Sequence, residues 1–263
     1  MQEAAHSFDD SEAYEEFMGR WSRAAGAVFI EWMGASEGAR WLDVGCGTGI
    51  FTGMILDRCA PATVSAVDPA PAQIDHARRS PIGQRVAFSV ADAQALPFGA
   101  ATFEVVTSAL VINFIRDRPR ALAEMRRVVS PEGRVAGYVW EFGAELSPSW
   151  PLRRAMRQAG ADPPQAPGAE ASNIDALVSL FEGAGLQRIE TRCIDVTVPY
   201  ASFEAFWRAQ TPGYSPIAKK IAAMSASDRT RLMGAVRAAL PVSTDGTISY
   251  SARANAIKSR RLD

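Results

Sequence analysis

The residues best suited to chemistry are Asp43-Val44-Gly45-Cys46-Gly47-Thr48-Gly49, alternate glycines set between an apolar run and an amphipathic one. Glycine here lets a ligand approach the backbone with no side chain in the way, and it supplies positive φ where the turn needs it. A helix starting at the end of such a turn offers free N–H groups and the positive end of its dipole, which suits an anionic group. A dinucleotide fingerprint counted from Gly45 would put its third glycine, or an alanine, at Ile50. Gly49 makes the pattern GxGxG instead, which argues against a nicotinamide cofactor. No Gly-Lys-Ser/Thr follows, so a P-loop is excluded. The bland reading of the run is a tight turn.

Two carboxylates come next. Asp68 lies about 20 residues beyond the glycines, where an acidic side chain can accept from both hydroxyls of a ribose; its other reading is a cap for the helix beginning near Pro71. Gln73 could add a contact from that helix or simply face solvent. Asp92, in Ala91-Asp92-Ala93 ahead of Leu96-Pro97-Phe98, could accept from an exocyclic amine while a neighbouring N–H meets a ring nitrogen, or could only shape a turn.

General bases are scarce. His6 and His76 are the only histidines, the first near the N-terminus and the second on the helix after Asp68. Glu141 is the better-placed candidate, just past an apolar strand, with a solvated or ion-paired carboxylate as its alternative. Asn113 could orient an acceptor or cap the loop that carries it. Cys46 reads as a small packed side chain in the turn, and Phe203, Phe206 and Trp207 have the spacing of a helix core as much as of a pocket wall. Asp162-Pro163-Pro164-Gln165 looks superficially like the DPPY signature of amino methyltransferases on nucleic acid, but it stands in the wrong place and lacks the aromatic.

The elements that must position these residues alternate. Apolar runs Trp41–Val44, Thr63–Val67, Arg85–Val90, Phe103–Leu110 and Arg134–Trp140 read as strands, with helical patterns at 51–59, 71–79 and 118–129 between them, which predicts a parallel, doubly wound sheet. An aromatic stripe from Ser11 to Met33 predicts an amphipathic N-terminal helix. Five prolines between 143 and 171, around a helical piece at 152–158, suggest an inserted lid. A helix at 174–184, a strand at 186–198, helices at 202–210 and 227–240 and a last strand at 246–257 complete the pattern.

The chain has 263 residues, 48% of them hydrophobic, enough for a substantial core, and one unit is the economical division. Its expected parts are an N-terminal helical cap at 11–35, a cofactor-binding core at 39–142, the lid at 143–171 and a C-terminal part at 172–263 with a helical insertion at 202–240. Lys and Arg total 28 against 29 Asp and Glu, a balance with no footprint for a nucleic-acid backbone, and the basic run 258–261 reads as a solvated tail. Three scattered cysteines suit a reducing compartment and no metal site, while an acidic N-terminus and the lack of a spanning segment point to the cytoplasm and away from membranes.

Taken in order, DVGCGTG, Val67-Asp68-Pro69, Ala91-Asp92-Ala93-Gln94-Ala95-Leu96-Pro97-Phe98, Phe103-Glu104-Val105-Val106 and Ser130-Pro131-Glu132-Gly133 resemble the class I methyltransferases that use S-adenosylmethionine (SAM), and among them the small-molecule branch called type 11. Tyr14, Gly19-Arg20-Trp21-Ser22-Arg23 and Val139-Trp140-Glu141 also resemble bacterial members of that branch. The resemblance implies a Rossmann-like sheet of seven strands whose last strand inserts antiparallel between the fifth and sixth. It implies that Gly45 and Gly47 contact the methionine part of SAM, Asp68 the ribose, and Asp92 with Ala93 the adenine, with Cys46, Pro69 and Gln73 in the same site. Ser108 would face the sulfonium, and Tyr14 and Trp21 would close over the cofactor. The activity implied is transfer of methyl to a small, apolar or aromatic metabolite by in-line displacement, through alignment and exclusion of water, leaving S-adenosylhomocysteine (SAH). A SAM-binding protein without transferase activity and, behind it, a nicotinamide-dependent oxidoreductase are the competing readings.

Overall fold

The structure, a computed structural model, describes residues 15–34 and 37–263. Its strands are β1 (Arg40–Val44), β2 (Thr63–Asp68), β3 (Ala87–Val90), β4 (Phe103–Ala109), β5 (Val129–Trp140), β6 (Gln187–Tyr200) and β7 (Ile248–Arg260). They form one sheet in the order β3-β2-β1-β4-β5-β7-β6. The first five are parallel, as the alternation of strands and helices predicts, and β7 lies antiparallel between β5 and β6, as the resemblance implies.

Both faces of the sheet are covered, so side chains alternate between two cores. Trp41, Val105, Tyr138 and Trp140 enter one, with Trp21 and Phe29 of α1 (Arg20–Met33), Phe51 and Ile55 of α2 (Ile50–Arg58), and Ile74 and Ala77 of α3 (Pro71–Arg79). Leu42, Val44, Val106, Val135 and Val139 enter the other, with Leu122 and Met125 of α4 (Arg118–Val128) and, beyond α5 (Trp150–Gln158), Leu177 and Phe181 of α6 (Ile174–Gly183). The crossover helices start where local chemistry allows: Gly49 precedes α2 at φ +87°, Pro71 takes the first position of α3, and the Asp117 side chain accepts from Arg120 N at 3.0 Å to open α4.

β6 and β7 outrun their neighbour. The β5 pairing ends where Trp140 faces Ala254, yet β7 stays paired with β6 back to Ile248 opposite Tyr200. That two-stranded overhang stands above the carboxyl edge of the parallel strands. Its connection carries α7 (Phe203–Gln210), α8 (Pro216–Ala222) and α9 (Ala226–Ala239).

Three expectations are corrected. The N-terminal helix is not uniform: a π-helical turn, Glu15–Gly19, leads into α1. α8 was not read from the sequence, although Ser215 caps it, accepting from Ala218 N at 3.1 Å, with Pro216 at its first position. Residues 258–261 are no solvated tail. Lys258 lies in β7, donates to the Trp32 carbonyl at 3.2 Å and covers the Trp32 ring, while Arg261 donates to the Val129 carbonyl at 2.9 Å. β7 simply runs three residues further than its apolar alternation, because its paired edge needs backbone partners rather than apolar side chains. Among the described residues, no helix is long and apolar enough to cross a membrane.

Candidate active site

The glycine turn leaves β1 and is stitched to β2 at once. Gly45 N and Cys46 N both donate to the Val67 carbonyl, at 2.7 and 3.0 Å, and Gly49 N closes the turn on the Cys46 carbonyl at 2.9 Å. The glycines answer different needs. A Cβ on Gly45 (φ +79°) would fall 2.5 Å from Cγ1 of Val111, and one on Gly49 would crowd Ile82 at 3.2 Å. Gly47 (φ +52°) has nothing within 4 Å of where its side chain would be. Its backbone is therefore bare toward open space.

Asp68 locks this geometry. Oδ2 accepts from Gly47 N at 3.0 Å and Oδ1 from Ala70 N at 2.9 Å. Partial burial raises its pKa above the ordinary value, against the pull of those two N–H groups. A carboxylate offers about four lone-pair sites, so two remain for other donors. The cap reading is not what forms, because Ala70 occupies the position before α3.

Asp43 was quoted only as part of the run, yet it is a strongly perturbed carboxylate in the turn. It is fully buried, Oδ2 accepts from Thr52 Oγ1 of α2 at 2.6 Å, and Oδ1 has no partner among the described residues. Burial raises its pKa to about 7; the Thr52 hydroxyl opposes this and nearby Asp68 adds to it. Burial, Asp43 and Asp68 together hold the Cys46 thiol well above its usual range, so Cys46 is an inert packed thiol.

Asp92 is exposed at the end of the neighbouring strand, accepting from Gln94 N at 2.8 Å and from Gln94 Nε2 at 2.9 Å. Ala91 N donates to the Asp68 carbonyl at 3.1 Å, so the two carboxylate-bearing strand ends are tied side by side. Ala93 is buried and Pro69 exposed. Gln73 is buried, at 5% exposure, rather than solvated: it lies on the inward face of α3 with Ile74.

The region above β4, β5 and β7 is built from side chains instead. Trp21 has no exposed surface. Its Nε1 donates to the Tyr200 hydroxyl at 2.9 Å, its ring meets Tyr250 at 5.0 Å between centroids, and Trp140 stands edge-on at 6.2 Å. It anchors α1 in an aromatic cluster under the overhang; Tyr14 and His6 lie outside the described residues. Gln210 of α7 donates to the Tyr250 hydroxyl at 2.9 Å, and that hydroxyl donates to the Pro148 carbonyl at 2.6 Å. Phe206 packs on both tyrosines, with ring centroids 5.5 Å from Tyr200 and 5.7 Å from Tyr250.

The two candidates for acid–base or orienting work are structurally committed. Glu141 is buried, with Oε2 accepting from Asn255 Nδ2 at 2.5 Å and Oε1 from Ala144 N at 3.1 Å. It latches the start of the insertion to β7, which is neither of the roles expected for it. Asn113 Nδ2 donates to the Pro167 carbonyl at 3.0 Å, bridging the segment after β4 to the end of the insertion. Ser108 is fully buried at the end of β4. Its hydroxyl, Oδ1 of Asn113, Nε1 of Trp140 and Oε1 of Gln210 have no hydrogen-bond partner among the described residues. His76 lines a cleft between α2 and α3 with Thr48 and Arg58. Among the described residues no three His, Cys, Asp or Glu side chains gather as a metal ion would need.

Residues 42–137 match the family model described as a methyltransferase domain. Over 114 residues the chain is 44% identical to a malonyl-[acyl-carrier protein] O-methyltransferase of Halorhodospira halophila, covering 42% of this chain and 39% of that protein. It is 37% identical to a ubiquinone/menaquinone biosynthesis C-methyltransferase of Geobacter sulfurreducens, over 49% of this chain and 50% of the relative. The chain thus spans half or less of the length of these relatives. Phosphoethanolamine N-methyltransferase 2 of Haemonchus contortus, solved with SAM, superposes with a TM-score of 0.59 over the whole of this chain and 61% of that one, at 18% identity, a likeness of fold.

Proposed function

We propose that this protein transfers the methyl group of SAM to a small, apolar or aromatic acceptor. The observation that carries the reading is Gly47, whose bare backbone faces open space while its N–H is held by Asp68. A cofactor with an anionic tail, a ribose and a cationic centre fits that arrangement: Gly45, Cys46 and Gly47 would hold the methionine part, Asp68 with Pro69 the ribose hydroxyls, and Asp92 with Ala93 the adenine. Gln73 would support α3 from within rather than touch the ligand. The Asp68 carboxylate beside the turn gives it the negative potential that a sulfonium favours.

SAM supplies a methyl group already activated on its sulfonium. What remains for the chain is to bind, align and exclude water, since in-line displacement consumes charge and needs no enzyme-bound intermediate. The aromatic cluster around Trp140 and Tyr250 supports an apolar acceptor side. The occupied oxygens of Glu141 favour an acceptor that needs no base from that residue. The same observation favours the second reading, SAM binding without transfer, and incorporation of labelled methyl into any component of a cell extract removes it.

Titration calorimetry with SAM and SAH tests the reading. Both are expected to bind the wild type, and Asp68→Ala is expected to weaken them by about ten-fold or more without unfolding the protein. Absence of heat and of thermal stabilisation with either compound would end the assignment.

A further inference from the structure

Asp43 is a buried acid to which the described residues offer no counter-charge. It stands at the close of β1, two positions before Gly45, with none of its surface exposed. Oδ2 accepts from Thr52 Oγ1 of α2 at 2.6 Å, while Oδ1 has no partner among the described residues. Its opposite numbers in the sheet, Ala66 of β2 and Thr107 of β4, carry no charge. The titratable groups that it feels are the Asp68 carboxylate at the end of β2 and the Cys46 thiol of the turn. Two acids side by side, one of them dry, do not both ionise readily, so Asp43 keeps its proton into the neutral range, with a pKa of about 7. A cation brought to the turn would release that proton.

The cofactor reading supplies such a cation and then removes it. SAM and SAH share the adenine, ribose, ammonium and carboxylate; they differ in one methyl group and in the positive charge it places on sulfur. That sulfur is joined to the ribose through a single carbon. A ribose held by Asp68 therefore sets the sulfonium beside the turn, whose Gly47 N–H donates to Asp68 Oδ2 at 3.0 Å. Charges at that range act strongly where water is excluded. Resting on the methyltransferase reading, we infer that Asp43 is the residue that tells SAM from SAH: SAM binds with Asp43 ionised and its proton passed to solvent, and loss of the sulfonium charge on methyl transfer lets Asp43 take a proton back, which loosens the product. The sign follows from linkage. Bound SAM lowers the pKa of Asp43 below its value in the free protein, so SAM affinity rises with pH and levels off above about 7, while SAH affinity changes far less.

The test is calorimetry with SAM and with SAH from about pH 5 to 8, in buffers of different ionisation enthalpy, on the wild type, Asp43→Asn and Thr52→Val. In the wild type the ratio of SAM to SAH affinity is expected to rise about ten-fold over that range, with protons released on SAM binding and not on SAH binding. Asp43→Asn keeps the shape of the side chain and an acceptor for Thr52 but cannot ionise, so its ratio is expected to stay within about two-fold at every pH, without the extra proton release. Thr52→Val removes the hydroxyl that favours the ionised form and is expected to move the midpoint of the rise upward by about half a pH unit or more. The inference fails if the wild-type ratio does not change with pH, if Asp43→Asn keeps the rise, or if Thr52→Val leaves the midpoint in place. Should melting show Asp43→Asn to be unfolded, the Thr52→Val midpoint decides the matter. Binding of both compounds with a flat ratio removes the role of Asp43 alone, whereas absence of binding by the wild type strikes the cofactor reading instead.

Discussion

The two halves of the sheet solve the problem of presenting a ligand surface in opposite ways. Around β1, β2 and β3 the surface is main chain: a turn of seven consecutive residues, held by the Val67 carbonyl and the Asp68 carboxylate, with the backbone bare at Gly47. Around β5, β6 and β7 it is side chain, assembled from residues far apart, such as Trp21 on Tyr200 and Tyr250 on Pro148. A backbone surface suits a ligand that never changes. A surface of packed side chains can be altered one residue at a time, which suits a ligand that differs between relatives.

Substitutions can sharpen or break that contrast. The largest effect is expected at Asp43. Its pKa is higher folded than unfolded, so the stability it contributes is full below its ordinary 3.8 and is lost as pH rises through about 7. Denaturant titrations from pH 4 to 8 should show Asp43→Asn gaining on the wild type as pH rises, by up to about 4 kcal/mol. Parallel curves would mean that the carboxylate is solvated and the turn less closed than described.

Next comes Gly45→Ala, which drives a methyl group into Val111 at a positive φ and should cost about 3 kcal/mol, with Val111→Ala added to it restoring part. On the other side of the sheet, Tyr250→Phe strands the Pro148 carbonyl and leaves the Gln210 amide only its longer bond to the Tyr200 hydroxyl, at 3.3 Å, and should cost about 2 kcal/mol. SAH affinity should not follow it. If it does, the halves are coupled and the contrast fails. The smallest expected effect is at exposed Asp92, where Asp92→Ala should weaken SAM by a few-fold, about 1 kcal/mol, with melting almost unchanged.

The same contrast explains what could be read from the sequence. The glycine turn and its two downstream aspartates are legible because each rests on spacing within a short stretch, where steric limits on φ leave few alternatives, whereas the place of the last strand was implied only by the family resemblance. Asp43 went unread because its perturbation comes from Thr52 and from burial, neither visible in a motif. Tyr200, Tyr250 and Gln210 gave no signal because each acquires meaning only when β7 inserts beside β6. Glu141 and Trp21 were noticed for their types, but their partners, Asn255 and Tyr200, lie more than 100 residues away and could not be read. For α8, the Ser215-Pro216 start was in the sequence, and only its short apolar pattern hid it.

Because β6 and β7 overreach β5, the helices between them hang from a ribbon held by one pairing partner rather than two. Exchanging residues 201–247 for another loop of similar span would leave every bond that ties the glycine turn to β2 in place. Such a graft is a route to new acceptors on an unchanged cofactor platform.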